Sequence, residues 1–177
     1  MNGDDRLRLF CGLRVPHEVV ERLAAWQARE LRGGRIVSPE NLHLTLAFLG
    51  SQAADDAPAV AAALRDAARG AAGLRFELRG YRETRSVGML TFDDVDGRGA
   101  ALAGRLGESL EALGLYRREE RPWLAHLTVL RFRDRPRLRP PLPELGEVVP
   151  SDAAVFISRL RRDGAQYEVF EAVPLGG

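Results

Sequence analysis

The 177-residue sequence contains no lysine, so all 26 of its basic side chains are arginines. This absence excludes several kinds of enzyme. P-loop nucleotide-binding sites, pyridoxal-phosphate enzymes and the usual ATP-dependent nucleic-acid ligases each need a lysine side chain for their chemistry. Arginine keeps one relevant property, because its planar guanidinium can bind a phosphate through two parallel hydrogen bonds.

Cysteine and histidine are also scarce, with one cysteine, Cys11, and three histidines in the chain. A single thiol cannot form a disulfide within the chain, and Cys11 stands in an apolar run where a small buried hydrophobe is expected. A closed zinc site would need carboxylates as ligands, and no close His or Cys spacing indicates one. We therefore expect no metal site.

Long apolar runs are missing as well. No stretch approaches the roughly 18 to 20 consecutive apolar residues of a membrane span, and the first residues lack the basic-then-apolar order of a secretory signal. The composition, 45% hydrophobic and 29% charged, is that of a globular protein. We expect a single domain over residues 1–177, cytoplasmic and monomeric, with neither a membrane nor a protein partner.

The periodicity of the apolar residues predicts an α+β fold. Helical spacing, with glycine at or near the ends, predicts helices over 16–31, 55–72 and 100–113. Alternating or continuously apolar runs bounded by turns predict strands over 7–15, 42–49, 74–78, 87–92, 123–132, 148–149, 153–160 and 167–173. These strands do not alternate regularly with helices, so an antiparallel sheet is favoured over repeated βαβ units.

The most informative pattern is a short motif that occurs twice, 83 residues apart. In both copies an apolar residue, His, Leu, Thr and another apolar residue follow one another, which pairs His43 with Thr45 and His126 with Thr128. Successive side chains of a strand alternate between its faces, so each His projects beside its Thr. Only four threonines occur in the chain, which makes two such matches by chance improbable.

Two imidazoles that face one phosphodiester can act as a general acid–base pair. A neutral ring activates water, while a protonated ring donates its proton to the departing oxygen. Threonine fits this arrangement because its hydroxyl can donate to a non-bridging phosphate oxygen without adding a titratable group. The repeated motif therefore predicts a phosphodiesterase with His43, Thr45, His126 and Thr128 in its active site.

At these residues the chain resembles the two-histidine (2H) phosphoesterases, whose signature is His-x-Thr-x once in each half. Within that superfamily it is most similar to the bacterial and archaeal RNA 2′,3′-cyclic phosphodiesterases, historically named 2′-5′ RNA ligases. Matching segments lie at 8–13 with Pro16, at 38–50, at 126–131, and at 158–160 with Gly164 and Tyr167. One departure is Ala125, which stands where the family often has proline before the second histidine.

The resemblance implies a two-lobed α+β fold with pseudo-twofold symmetry, in which two antiparallel sheets flanked by helices surround a cleft lined by the motif residues. It implies no cofactor. The implied activity is hydrolysis of a 2′,3′-cyclic phosphate at an RNA end to a 2′-phosphomonoester, with weak ATP-independent 2′-5′ ligation as the reverse reaction. His43 would be the proton donor and His126 the proton acceptor.

Two further residues are candidates for substrate binding. Arg131 follows His126 by five residues, where the family carries an arginine near the phosphate. An offset of five puts it on the opposite strand face from His126 unless a bulge intervenes, which leaves the role open. Phe48 holds the equivalent position after His43, where core packing is favoured and base stacking is the alternative.

The distribution of charge gives a weaker indication of where RNA would bind. Eight arginines and three acidic residues lie between Arg117 and Arg139, a local surplus of five positive charges in a chain whose net charge is +1. Such a stretch is typical of an RNA path past the second motif, although a solvated arginine-rich loop explains it nearly as well. His17 has no threonine partner and is expected on the surface.

Two other functions remain open on the sequence. The cleft of a nucleotide-binding or RNA-binding module could bind phosphate through both histidines without turnover, although intact His/Thr pairs argue against it. A hydrolase for a small cyclic nucleotide, or for ADP-ribose 1″,2″-cyclic phosphate, would differ only in substrate.

Overall fold

The computed structural model describes residues 5–176 and contains three α-helices and nine β-strands within that range. The helices are α1 (His17–Glu30), α2 (Ala57–Ala68) and α3 (Arg98–Ala112). The strands are β1 (Arg6–Arg14), β2 (Arg35–Ile36), β3 (His43–Ala53), β4 (Arg75–Glu83), β5 (Val87–Val95), β6 (His126–Arg131), β7 (Glu147–Val148), β8 (Asp152–Arg161) and β9 (Gly164–Val173). The predicted α+β class is confirmed.

The strands form one antiparallel sheet with a thin joint in its middle. Their order is β7, β4, β5, β6, β3, β1, β8, β9, and the short β2 adds to β6. The two histidine strands, β3 and β6, meet through the single pair Leu44 and Leu127. Two separate sheets were expected, whereas among residues 5–176 they are two halves of one sheet joined at this pair.

The halves are related by a pseudo-twofold arrangement around that joint. In the first half β1 leads through α1 to the histidine strand β3, which pairs with β1. In the second half β5 leads through α3 to the histidine strand β6, which pairs with β5. Each half therefore presents one His-x-Thr motif at the centre of the sheet.

The apolar faces of the helices supply much of the core. Leu23 and Trp26 of α1 are almost fully buried, as is the row Leu102, Leu106 and Leu110 of α3. Burying each such side chain contributes roughly 1.5 to 3 kcal/mol relative to leaving it in water. The leucines between the motif residues, at positions 44 and 127, belong to the same core, so the histidines and threonines take the opposite face.

Several predicted boundaries differ from the structure, among them the ends of β4, β5, β9 and α2, and two of the differences concern the histidine strands. β3 continues to Ala53, four residues past the predicted end, because its later residues still pair with β1. The predicted start of the second histidine strand at 123 is wrong, since β6 begins at His126. Trp123 and Ala125 are apolar because they pack against the core, and apolarity reports burial without requiring a strand pair.

A buried carboxylate anchors the irregular segment 133–146 to the sheet. Glu83, at the end of β4, accepts hydrogen bonds from the backbone N–H groups of Arg137 and Leu138 at 2.9 and 2.8 Å. The Tyr81 hydroxyl donates to it at 3.0 Å and Arg135 Nε at 3.3 Å. Burial raises the pKa of Glu83, but these hydrogen bonds outweigh burial and hold the pKa below its usual range.

Candidate active site

Each histidine of the repeated motif is oriented by a backbone carbonyl two residues before it. His43 Nδ1 lies 2.8 Å from the carbonyl oxygen of Asn41, and His126 Nδ1 lies 3.0 Å from that of Leu124. A carbonyl oxygen can only accept, so Nδ1 carries the proton in both rings. In the neutral rings, Nε2 is therefore the nitrogen with a free lone pair, and the two motifs present the same tautomer.

The first threonine contacts the reactive nitrogen of its own histidine. His43 Nε2 is 2.9 Å from Thr45 Oγ1. In an antiparallel ladder the residues on either side of a pair stand opposite one another, so the pair Leu44 and Leu127 sets His43 beside Thr128 and His126 beside Thr45. The central joint of the sheet thus gathers all four motif residues on one face.

A bulge in β6 determines the face of the sheet on which Arg131 lies. In β6 the register with β5 passes from Leu130 directly to Thr128, which makes Val129 an extra residue. The extra residue reverses the alternation, so Arg131 projects on the face of His126 and Thr128. Arg131 lines the same cavity as Thr128 and His43.

The first histidine strand has the corresponding bulge. The register of β3 with β1 passes from Ala47 directly to Thr45, so Leu46 is the extra residue, three positions after the histidine as in β6. Phe48 then faces the cleft, where 49% of its surface is exposed. The expectation that Phe48 packs into the core is wrong. Its ring instead lies 4.9 Å from the guanidinium carbon of Arg8, a cation–π contact.

The ring of His43 lies in an aromatic cluster. Phe10, Tyr167 and Phe156 have ring centroids 4.7, 5.4 and 5.7 Å from that of His43. These rings leave the imidazole only partly exposed. Burial, followed by the charges of His126 and Arg131, lowers the pKa of His43 to about 4 despite the bond to Asn41. The ring is therefore neutral at pH 7 in the free protein.

The cleft beside this cluster is a cavity of about 380 Å³. It contains His43, Thr45 and Thr128, whereas His126 lies on the same sheet face but outside the cavity wall. Its lining also includes four arginines that come from four different strands: Arg8, Arg35, Arg131 and Arg161. A cleft with this lining suits an anionic ligand, because guanidinium groups bind phosphate oxygens bidentately.

Sequence reasoning missed three of these arginines and the role of the aromatic cluster. Arg8 fell within a segment noted only for its resemblance, and Arg35 and Arg161 carried no signal in the linear pattern. Of the eight arginines between residues 117 and 139, Arg131 is the one that lines this cavity. Arg135 instead lies against Glu83, 3.3 Å away.

The remaining candidates lie elsewhere. His17 is exposed and pairs with Glu21 at 3.0 Å, which confirms its predicted surface position. Cys11 is fully buried, and burial raises the pKa of its thiol to about 12, so it is an inert core residue as expected.

Two features are absent from the described part of the chain. Residues 5–176 contain no group of three or more His, Cys, Asp or Glu side chains arranged to hold a metal ion. Within the same residues, no helix combines the length and the apolarity needed to cross a bilayer.

Comparison with known proteins identifies one family. A family model described as LigT-like phosphoesterase matches residues 13–86, which contain the first motif. An RNA 2′,3′-cyclic phosphodiesterase of Thermus thermophilus is 29% identical over 97% of this chain and 91% of its own length.

Solved structures of similar sequence have the same fold as this chain. A Thermus thermophilus protein superposes with a TM-score of 0.82 at 30% identity, covering 97% of this chain and 99% of its own. The apo form of Escherichia coli LigT also superposes with a TM-score of 0.82, at 24% identity, over 98% of this chain and all of its own.

Proposed function

The chain belongs to the LigT-like phosphoesterases, and from this we propose that it hydrolyses 2′,3′-cyclic phosphates at RNA ends to 2′-phosphomonoesters. The observation that carries the proposal is the convergence, on one sheet face, of two histidines held by the same Nδ1–carbonyl contact, their two threonines and Arg131. The name of the Thermus thermophilus relative supports this choice of substrate.

In the proposed reaction, water attacks phosphorus and the bond between phosphorus and O3′ breaks. His126 Nε2 accepts the proton of the attacking water, and His43 Nε2 donates a proton to O3′. The product carries a phosphate on O2′ and a free 3′-hydroxyl. Because both rings keep their Nδ1 protons bonded to carbonyls, only Nε2 of each ring exchanges a proton.

The threonines and Arg131 would stabilise charge on the phosphate. Thr45 and Thr128 can donate hydroxyl protons to the two non-bridging oxygens, and Arg131 can hold one of them with a guanidinium fork. All three donors lie on strands β3 and β6, so the sheet sets their backbone positions before substrate binds. In this arrangement the exposed ring of Phe48 offers a face for the terminal base.

The pKa of His43 sets a condition on its role as the acid. At about 4 in the free protein, the ring holds almost no proton at pH 7. The negative charge of a bound phosphate, next to the ring, favours the imidazolium and raises this pKa. We therefore propose that His43 becomes protonated as the substrate binds, while His126 stays available as the base.

A 5′-hydroxyl of a second RNA could attack in place of water. The same protonation steps would then join the two RNAs through a 2′-5′ linkage without ATP, since the cyclic phosphate supplies the energy. We propose this ligation as a weak side activity.

The deciding experiment uses an RNA ending in a 2′,3′-cyclic phosphate, with the position of the product phosphate determined by NMR. The proposal expects the 2′-phosphomonoester alone. A 3′-phosphate product would mean that O2′ leaves instead of O3′. Binding of the RNA without hydrolysis would mean that the protein is a non-catalytic binding module. Faster turnover of ADP-ribose 1″,2″-cyclic phosphate would shift the assignment to a small-molecule hydrolase.

Excess EDTA should leave the hydrolysis rate unchanged, because two imidazoles provide both the acid and the base without a metal-bound water. The rate is measured on the same RNA before and after chelation and dialysis. Loss of activity that zinc or manganese restores would contradict the two-histidine mechanism.

The His43 ring should titrate near pH 4 in the free protein and at a higher pH with a phosphate bound. A neighbouring anion raises a histidine pKa by roughly 1 to 3, so uridine 2′-phosphate should bring it to between about 5 and 7. The Cε1–H chemical shift of His43, followed by NMR against pH, measures both values. A pKa that does not move on binding would leave His43 neutral at pH 7 and exclude it as the acid.

The same lowered pKa affects stability in a defined direction. Unfolding returns His43 to its ordinary pKa of about 6.5, so the unfolded chain binds more protons between pH 6.5 and 4. The contribution of His43 to the free energy of unfolding is therefore complete above pH 6.5 and falls as the pH drops toward 4. A His43→Gln variant, which has no titrating ring, should lose less stability over this window than the wild type.

A further inference from the structure

The sheet divides into a fork next to the candidate active site. The pairing of β1 with β8 ends at Leu9 and Ile157. Beyond that point residues 6–8 of β1 pair only with β3, while residues 158–161 of β8 pair only with β9. The two strand ends therefore separate, and a groove of about 620 Å³ lies between them.

This groove opens directly into the catalytic cleft. Arg8, Ser158, Leu160 and Arg161 line both, so a ligand could pass from one to the other without leaving the protein surface. Arg6 and Arg159 lie in the groove alone.

The groove has a strong positive charge. Four of its nine lining residues are arginines and none is acidic. Arg6 donates to the hydroxyl and carbonyl of Ser51 at 2.8 and 2.6 Å, which are uncharged acceptors, so its charge is not neutralised. Arg159 has one acidic partner, Glu168, at 3.0 Å. Within residues 5–176, neither Arg8 nor Arg161 lies within 4 Å of a carboxylate.

The groove also offers apolar surface for bases. Leu160, which is 75% exposed, lines it together with Leu7 and Ile157. Phe48, with Arg8 against one face of its ring, stands on the cleft side of the same entrance. Positive charge that follows a backbone, combined with exposed apolar side chains, is the arrangement by which proteins bind single-stranded RNA without reading its sequence.

We propose that this groove binds the RNA strand on the 5′ side of the cyclic phosphate, so that the second and third nucleotides from the end lie between β1 and β8. The proposal rests on the function proposed above and specifies its substrate class as single-stranded RNA of several nucleotides. It replaces the RNA path along the arginine-rich stretch between Arg117 and Arg139 that the sequence suggested.

The test separates strand binding from chemistry by removing the two arginines that line only the groove. The double variant Arg6→Gln/Arg159→Gln should bind a 5′-labelled uridine hexamer with a 3′-terminal 2′-phosphate about 20-fold more weakly at 0.1 M salt. The slope of log K against log salt should fall by about 1.4, the value for two phosphate contacts on a single strand. Hydrolysis of 2′,3′-cyclic UMP should stay at the wild-type rate, because the mononucleotide does not reach the groove.

A matched control removes two exposed charges from the alternative path. Arg133→Gln/Arg139→Gln should match the wild type in hexamer affinity and in cyclic UMP hydrolysis. In the opposite direction, Glu168→Gln removes the carboxylate beside Arg159, and with it a negative charge that repels the RNA phosphates, so hexamer binding should tighten by up to about fivefold at 0.1 M salt.

Three outcomes would overturn the proposal that the groove binds RNA. They are an unchanged hexamer affinity in the double variant, a loss of affinity confined to the Arg133→Gln/Arg139→Gln control, or an equal loss of cyclic UMP hydrolysis in the double variant. Fluorescence anisotropy on the hexamer needs no turnover. If the wild type hydrolyses no cyclic phosphate, the proposed function is wrong, and the hexamer affinities still show whether the groove binds RNA.

Discussion

Replacing His43 or His126 by alanine is expected to lower kcat/KM on a cyclic-phosphate RNA by at least about 100-fold. Each ring is oriented by a backbone carbonyl bonded to Nδ1, which leaves Nε2 as the reactive nitrogen, and loss of a positioned acid or base ordinarily has this effect. The assay is initial-rate hydrolysis at saturating and subsaturating RNA. The two rings act on one phosphate, so the double variant should fall little below the single ones.

The matched control is His17→Ala, which removes an exposed imidazole paired only with Glu21 and should retain wild-type activity. Thermal melts of all three variants separate lost chemistry from lost folding. Retention of more than a tenth of wild-type activity by a folded His43→Ala or His126→Ala protein would remove that ring from the mechanism.

The two roles can be separated with a substrate whose leaving group needs no proton. Loss of the acid then matters little, so His43→Ala should recover most of its rate while His126→Ala stays slow. The reverse pattern would exchange the roles. That exchange has a physical basis in the free protein, because a ring with a pKa of about 4 is unprotonated at pH 7 and thus in the form that can accept a proton.

Glu83→Ala is expected to lower the free energy of unfolding by about 3 kcal/mol. The Glu83 side chain is 2% exposed and accepts bonds from two backbone amides, a tyrosine and an arginine. Its removal leaves these donors, one of them charged, without an acceptor in a site shielded from water. An unpaired buried donor lowers the free energy of unfolding by its full desolvation cost. Urea denaturation at pH 7 measures the change.

A surface carboxylate provides the comparison. Glu119 pairs with Arg121 in an exposed salt bridge, so Glu119→Ala should change stability by less than about 1 kcal/mol. Because hydrogen bonds hold the pKa of Glu83 below its usual range, its stabilising effect is present at neutral pH and decreases as the pH falls through that lowered pKa. A Glu83→Ala protein as stable as Glu119→Ala would mean that segment 133–146 is held by other contacts.

The loop that Glu83 anchors was the segment in which the sequence suggested an RNA path. Its composition could not distinguish a solvated arginine from one engaged by a carboxylate 52 residues away. Arg135 belongs to the second kind, and the Trp26 indole adds a bond to Pro141 in the same segment, 2.7 Å long. Charge clustering in the chain therefore marked a structural loop, whereas the basic cleft is assembled from arginines dispersed over four strands.

The sequence by itself determined the elements and the repeated motif. Helix and strand follow from the spacing of apolar residues over a few turns or a few alternations, and that spacing is local. The pairing of each His with a Thr two residues later also needs only the alternation of a strand. The α+β class and the four motif residues therefore follow from local patterns in the chain.

Only the tertiary structure decided which other side chains reach the cleft. A bulge is one extra residue relative to a partner strand, so the bulges at Leu46 and Val129 exist only once β3 and β6 have partners. Because of these bulges Phe48 and Arg131 face the cleft, whereas the strict alternation of a strand without a bulge would place both side chains on the opposite face. The fork between β1 and β8 depends likewise on where pairing stops, because a ladder ends through geometry that neither strand's sequence contains.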